Sequence, residues 1–382
     1  MSYISNKIII PESYTFDDVL LLPNYSDFYR SEIQLTVDLC PTIRLYLPVV
    51  SSPMDTVTNG NAAAVMAQNG GLGIIHRAFT VDEQAAEVAF VKNSEIGDGF
   101  EEQNRKPAVD KNGRLLVGAA VGVDASFEGR LEKLVAAGVD IVVLDTAHGH
   151  AQYIIDGVKK IKTLYPQLPV IAGNITTSEA AEDLIAAGAN VLRVGMGPGS
   201  ICTTRIVTGM GVPQLTAVDL VANVAKKHGV AIIADGGIKQ IGDVAKALGF
   251  GADCVMLGSM LAGFEQSPGK LIELDGQLFR TYRGMGSVGA MTKNGGGRYG
   301  QETKESKKLV AEGVEGLVKL KGDLNDFLFQ IGGGLLSSFY YIGAKNSQEF
   351  YEKARFVKIS SASLKESHPH TISVVNGGAS YQ

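Results

Sequence analysis

The chain has 382 residues, 45% of them hydrophobic, and 35 basic against 40 acidic side chains give a formal net charge of −5. It is long enough to bury a full core, and although its length alone suggests two domains, α/β barrels of this size often form one. No basic cluster marks a nucleic-acid footprint, no apolar run approaches a membrane span, and three cysteines make no disulfide framework. The N-terminus lacks the apolar core of a signal peptide, so a cytoplasmic protein with neither nucleic-acid nor membrane partners is expected.

From residue 47 onward, short apolar runs alternate with helix-like stretches. The runs are 47–51, 73–76, 115–120, 140–144, 169–172, 190–194, 230–234 and 253–257. Their continuous hydrophobicity suits parallel strands buried on both faces. Between them, 85–91, 131–137, 178–187 and 216–228 carry apolar residues at helical spacing. A weak repeat supports the alternation: Ala-Ala-Gly138-Val-Asp140, Ala-Ala-Gly188-Ala-Asn190 and Gly-Phe-Gly251-Ala-Asp253 each precede a run. Glycine there closes a helix and lets the chain reverse. Eight such units predict an α/β fold, a single (β/α)8 TIM barrel spanning 1–382. Two segments lie outside the pattern. Residues 92–114 are polar and charged and read as a short connector. Residues 282–320, rich in glycine, read as a long excursion after the eighth strand with a mobile flap over 288–320. A C-terminal arm follows.

Strand C-termini are the functional end of such barrels. Here they are followed by Ser52-Pro-Met-Asp-Thr56, Asp145-Thr-Ala-His-Gly149, Gly173-Asn-Ile-Thr176, Gly195-Met-Gly-Pro-Gly-Ser-Ile-Cys-Thr-Thr-Arg205, Asp235-Gly-Gly237 and Gly258-Ser259. Cys202, alone among the cysteines, lies in a polar glycine-rich loop and reads as a soft nucleophile. The loops after strands seven and eight of barrels commonly bind phosphate through backbone amides. Gly237, Gly258, Ser259 and Ser200 would form that cradle, and the Asp235 carboxylate suits two ribose hydroxyls. A ribose monophosphate substrate follows. Gly284-Met-Gly-Ser-Val-Gly289 matches G-x-G-x-x-G but follows no buried strand of a βαβ unit, so it reads as backbone contact to a flat heterocycle with Tyr282 nearby. His148/His150 and His368/His370 lack the Cys/His partners of a zinc site.

These residues occur in segments that together resemble the inosine-5′-monophosphate (IMP) dehydrogenase family. The segments are Tyr14-Thr-Phe-Asp-Asp-Val-Leu-Leu-Leu-Pro23, Ser51-Ser-Pro-Met-Asp-Thr56, Gly197-Pro-Gly-Ser-Ile-Cys-Thr-Thr204, Ala234-Asp-Gly-Gly237, Tyr282-Arg-Gly-Met-Gly-Ser287 and Glu312-Gly-Val-Glu-Gly316. GMP reductases share the barrel and the cysteine loop, but Arg298-Tyr299 is similar to the dehydrogenase flap. The resemblance implies NAD-dependent oxidation of IMP to XMP through a Cys202 thioimidate, with Thr204, Arg298 and Tyr299 serving hydrolysis. It implies that Ser52, Met54, Ser200, Asp235, Gly237, Gly258, Ser259, Tyr282, Gly284, Met285, Gly286 and Glu312 hold the nucleotide. Asp145, Ala147, Asn174 and Arg193 would line the NAD side. It further implies a potassium ion on the carbonyls of Gly197, Gly199 and Cys202, completed by Glu366, Ser367 and His368 of a neighbouring subunit in a homotetramer. Two departures stand out. Gly300 replaces the phenylalanine that usually follows Arg-Tyr, and only about twenty residues occupy 92–114, where most members insert a paired CBS module. The alternatives are a GMP reductase (NADPH-dependent) and a non-catalytic purine-nucleotide binding barrel.

Overall fold

The eight apolar runs form eight parallel strands: β1 Val49–Ser51, β2 Leu72–Ile75, β3 Val117–Val121, β4 Ile141–Asp145, β5 Val170–Ile175, β6 Val191–Val194, β7 Ala231–Asp235 and β8 Cys254–Leu257. The structure, a computed structural model, describes residues 7–10, 12–97, 105–299, 301, 305–372 and 374. Each strand pairs in parallel with the next, and β8 returns to β1 through Val255 opposite Val49, closing the barrel. Around it run α1 Gly60–Gln68, α2 Val81–Asn93, α3 Phe127–Ala137, α4 Gln152–Leu164, α5 Ser178–Ala186, α6 Gln214–Ala225, α7 Ile241–Gly249 and α8 Leu324–Ile342. The expected (β/α)8 architecture is therefore present. The helix α8 was not singled out in the sequence, although Leu324, Phe327, Leu328, Ile331, Leu335, Phe339 and Ile342 bury one helical face behind the Asp323 N-cap.

Strand alternation divides the core in two. Ile141, Val143, Ile171, Val191 and Ile233 fill the barrel interior, whereas Val142, Leu144, Ala172, Leu192 and Val194 point outward under the helices. An antiparallel hairpin, Val37–Cys40 with Ile43–Leu45, adds Val37, Leu39, Ile43 and Leu45 to the interior cluster and plugs the barrel there. Strand Val19–Leu21 pairs with Phe356–Lys358, tying the two ends of the chain together.

The internal repeat has a physical meaning. Gly138, Gly188 and Gly251 adopt φ of +90°, +100° and +106°, so each helix or turn ends in a left-handed residue. Two residues later a side chain reaches back to a backbone amide at the start of the preceding strand, the first in two cases and the second in the third. Asp140 accepts from Val117 N at 2.8 Å, Asn190 from Val170 N at 3.0 Å and Asp253 from Ile232 N at 2.8 Å. A lysine stem lies over each glycine: Lys92, Lys162 and Lys226 respectively.

The first of these sites anchors the connector. Lys92 is buried, and its Nζ donates to Leu115 O at 2.9 Å and pairs with Asp140 at 2.8 Å and Asp110 at 2.9 Å. Burial pushes the Asp110 carboxyl up, but Lys92 and the amides of Arg114 and Asn112 outweigh it and hold it at about 2. Residues 105–114 are thus fastened to the barrel, with Ala108 N donating to Ala67 O at 2.8 Å; residues 98–104 lie outside the described set.

The excursion after β8 is also more ordered than its glycine content suggests. Leu271–Leu274, Gln277–Arg283 and Glu315–Lys319 form a three-stranded antiparallel sheet that pins both ends of the flap. Gly300 and residues 302–304 lie outside the described residues.

Removing one partner of a buried ion pair strands the other charges, at a cost of about 3–5 kcal/mol. Lys92→Met is expected to lower unfolding stability by that amount, read as a lower urea midpoint. Adding Asp110→Asn and Asp140→Asn should recover part of the loss.

Candidate active site at the barrel mouth

A cleft of about 1040 Å³ opens at the C-terminal ends of the strands. Its deepest charged element is Arg193 on β6, whose side chain is 1% exposed. The guanidinium donates to Asp145 Oδ1 at 2.7 Å on one side and to Asp235 Oδ2 at 2.9 Å on the other. Asn174 Nδ2 also reaches Asp235 Oδ2, at 2.7 Å, leaving Asn174 Oδ1 buried without a partner among the described residues. One oxygen of Asp235 is therefore engaged from below, and ribose hydroxyls would meet the other.

The Cys202 loop leaves β6 through backbone that only glycine tolerates. Gly195 has φ +143°, and a Cβ there would stand 2.2 Å from Asp235 O; a Cβ on Gly197 would stand 2.7 Å from Arg205 Cγ. Gln214, fully buried at the start of α6, braces the same turn by donating to Val194 O at 2.8 Å and Asp235 O at 3.1 Å. The sequence reading missed this residue; the available signal was an uncharged polar side chain on an otherwise apolar helix face. The loop delivers Cys202 Sγ to 3.1 Å from Thr204 Oγ1. Backbone bonds from Thr203 N to Glu312 O and from Val314 N to Ile201 O, each 3.0 Å, tie the loop to the base of the flap.

One end of the cleft is lined by Ser200, Gly237, Gly258 and Ser259, the residues expected to hold a phosphate, with Tyr282 beside them. The Tyr282 hydroxyl lies within hydrogen-bond reach of Ser200 and Ser259, and burial pushes the phenol up to about 12. Gly258 leaves room for Met54 Sδ and the Tyr282 hydroxyl, which a Cβ would meet at 3.3 and 3.5 Å. Ser52, Gly284, Met285 and Glu312 complete the wall.

The flap is folded over this cleft. Arg298 Nη1 lies 3.1 and 3.2 Å from the two Asp145 oxygens, and its carbonyl accepts from Ala147 N at 3.3 Å. Burial opposes the Arg298 charge, but Asp145, followed by Tyr299, Asp235 and Cys202, overrides it and holds the guanidinium more firmly protonated than usual. In turn, burial would raise the Asp145 carboxyl, but Arg298, Arg193 and Arg77 keep it below the ordinary carboxylate range. Gly286 does not line the cleft; it leaves space for Tyr299, whose ring a Cβ would meet at 2.7 Å. Arg298 and Tyr299 separate the cleft from a second one of about 1310 Å³, lined by Thr146, Ala147, His148, Tyr153, Thr176 and Met210 among others.

Of the residues assigned to the NAD side, Ala147, Asn174 and Arg193 line the first cleft and Asp145 is buried behind them. Among the loop carbonyls assigned to potassium, that of Gly199 accepts from Cys202 N at 3.1 Å, whereas those of Gly197 and Cys202 meet no donor among the described residues. Glu366, Ser367 and His368 sit exposed at the end of helix Ser361–Glu366 and do not line the cleft.

The description "IMP dehydrogenase / GMP reductase domain" matches residues 13–370. The chain belongs to that family. Inosine-5′-monophosphate dehydrogenases of Staphylococcus aureus strains Mu50 and USA300 are each 39% identical to it, over 97% of this chain and 98% of theirs. Those alignments run to 478 positions; subtracting the 382 residues here leaves at least 96 positions in the family relative without a counterpart. No helix among the described residues is long and apolar enough to cross a membrane.

At the rim, His76 follows β2, is 4% exposed and stacks on Phe79 with ring centroids 4.1 Å apart. Burial lowers its pKa to about 4, with Asp55 opposing and Arg283 and Arg130 reinforcing the shift. The native state holds it neutral while the unfolded chain takes a proton below about 6.5, so stability falls as pH drops from about 6.5 to about 4. The loss reaches about 3 kcal/mol. His76→Gln should flatten that part of a pH-resolved unfolding curve.

Proposed function

We propose that the protein oxidises IMP to XMP with NAD as hydride acceptor, in guanine nucleotide synthesis. The observation that carries this reading is the convergence of Cys202, Thr204, Arg298 and Tyr299 on one cleft whose far end offers a phosphate cradle. The similarity to dehydrogenases along nearly the whole chain supports the oxidative direction over reduction of GMP.

Phosphate binds at Ser200, Gly237, Ser259 and Tyr282, ribose at Asp235, and the base lies against Met54 and the Gly284–Met285 backbone. This places the purine C2 at Cys202. The thiolate adds to C2, and hydride leaves C2 with its electron pair, giving a thioimidate on Cys202. NAD, when bound, supplies the acceptor for that hydride. Ala147 and the unpartnered Asn174 Oδ1 suit its carboxamide. Water then adds to C2, loses a proton, and the thiolate departs as XMP forms. In the observed arrangement Arg298 is locked as a cation by Asp145, so it activates water only after that ion pair opens; Tyr299 and Thr204 position the water.

The free carbonyls of the Gly197–Cys202 turn suit a hard oxygen-ligated cation. We assign them to potassium, completed by Glu366, Ser367 and His368 of a neighbouring subunit in a homotetramer. The 92–114 segment stands as the connector where the relatives' additional residues would be inserted.

Cys202→Ser is expected to abolish NADH formation from IMP while IMP binding, read by calorimetry, stays within a few-fold of the parent; substantial turnover by this variant would exclude the covalent route.

Arg298→Ala is expected to keep a single-turnover burst of NADH but slow the steady state by about 10²–10⁴-fold, with a Cys202–nucleotide adduct visible by mass spectrometry. An unchanged steady state would shift the assignment toward the reductase.

A further inference from the structure

Lys321 stands just past the last strand of the flap sheet, where the chain returns to the barrel. Its side chain is partly buried, and its Nζ lies 3.4 Å from both Ser259 O and Met260 O and 5.4 Å above the Phe264 ring. Among the described residues no carboxylate comes within ion-pair distance of it. Burial alone lowers this ammonium to about 8. A buried cation without a counter-ion is costly and invites an explanation.

The two carbonyls belong to the turn that follows β8. There Gly258 O accepts from Leu261 N at 3.0 Å and Ala262 N at 3.1 Å, so the peptide units of Ser259 and Met260 run in parallel. Their carbonyls face Lys321, and their amides, which meet no acceptor among the described residues, point the other way. A cation at the carbonyl end and an anion at the amide end both stabilise such an arrangement. The other cations that line the cleft are already matched. Arg193 is paired with Asp145 and Asp235, Arg298 with Asp145, and Lys239 with Asp17 at 2.6 Å on the exposed rim. Tyr282, on the cleft side of Ser259, is a neutral phenol.

We propose that Lys321 is a positioning residue for the substrate's phosphate: it supports the Ser259–Met260 turn from behind and supplies the charge that a phosphate monoester dianion needs at the amide end. This rests on the assignment of the phosphate cradle above. Because the side chain issues from the segment that closes the flap sheet, the same contact couples phosphate occupancy to the flap's base.

The test compares the full-length protein with Lys321→Met and Lys321→Arg. Lys321→Met is expected to raise the KM for IMP by at least about tenfold, with kcat at saturation changed by less than about twofold. Calorimetry should show the same loss for IMP and for inorganic phosphate and none for inosine, which lacks the phosphate. Lys321→Arg should restore binding to within about threefold. The ligand-free melting temperature of Lys321→Met should be unchanged or higher, since an uncompensated charge is gone, while its rise on adding IMP shrinks. Equal weakening of IMP and inosine, an unchanged KM, or a ligand-free melting temperature lowered in both variants would overturn the proposal. If the parent protein forms no NADH from IMP, the functional reading falls, and the phosphate titration still decides the role of Lys321.

Discussion

The arrangement of the barrel mouth depends on one buried guanidinium. Arg193 has no route to water, so its charge is tolerable only while Asp145 and Asp235 flank it. That requirement fixes the ends of β4, β6 and β7 relative to one another. It sets which oxygen of Asp235 remains for a ligand, and it orients Asn174 through the same carboxylate. The Cys202 loop starts two residues beyond Arg193, and Gln214 ties its first turn to the backbone of Asp235. Cys202 and Asp235 are therefore parts of one rigid network.

The same network provides the flap's landing place. Asp145 is already committed to Arg193, yet it has a second oxygen for Arg298. An Asp145 shared in this way does not offer a free hydrogen-bond acceptor to a cofactor while the flap is down. A ligand that reaches for Asp145 and the observed position of Arg298 thus draw on one carboxylate, and either state leaves Arg193 satisfied.

The barrel was legible because its strands are buried on both faces and read as unbroken apolar runs; each of the eight falls within a few residues of its expected position. The polar and glycine residues after the strands stood out against the apolar runs they follow, and Cys202, Asp235, Ser259 and Thr204 all line the one cleft. What escaped notice had at most a faint local signature. Gln214 and Lys321 act across long sequence separations, so nothing beside them in the chain marks their partners. Tyr282 adjoins a glycine-rich stretch, and only the antiparallel strand that carries it reveals that its hydroxyl turns toward Ser200 and Ser259. Helix α8 carries three glycines in succession, Gly332–Gly333–Gly334, in its middle. Their low helix propensity obscured a clear apolar periodicity; a Cβ at Gly334 would press on Ile241 at 2.5 Å, so the glycine serves the packing of α8 on α7.

The side-chain caps on Val117, Val170 and Ile232 have a consequence for how the molecule comes apart. A strand's first amide is ordinarily where fraying begins, because it lacks an inner neighbour to hold it. Here three strands have their first or second amide clasped by Asp140, Asn190 or Asp253, each two residues after a left-handed glycine. With the hairpin plug beside them, these caps fasten the end of the cylinder away from the cleft through contacts that share no residue with the mouth. Changes at the mouth can therefore leave the caps at the far end of the barrel untouched.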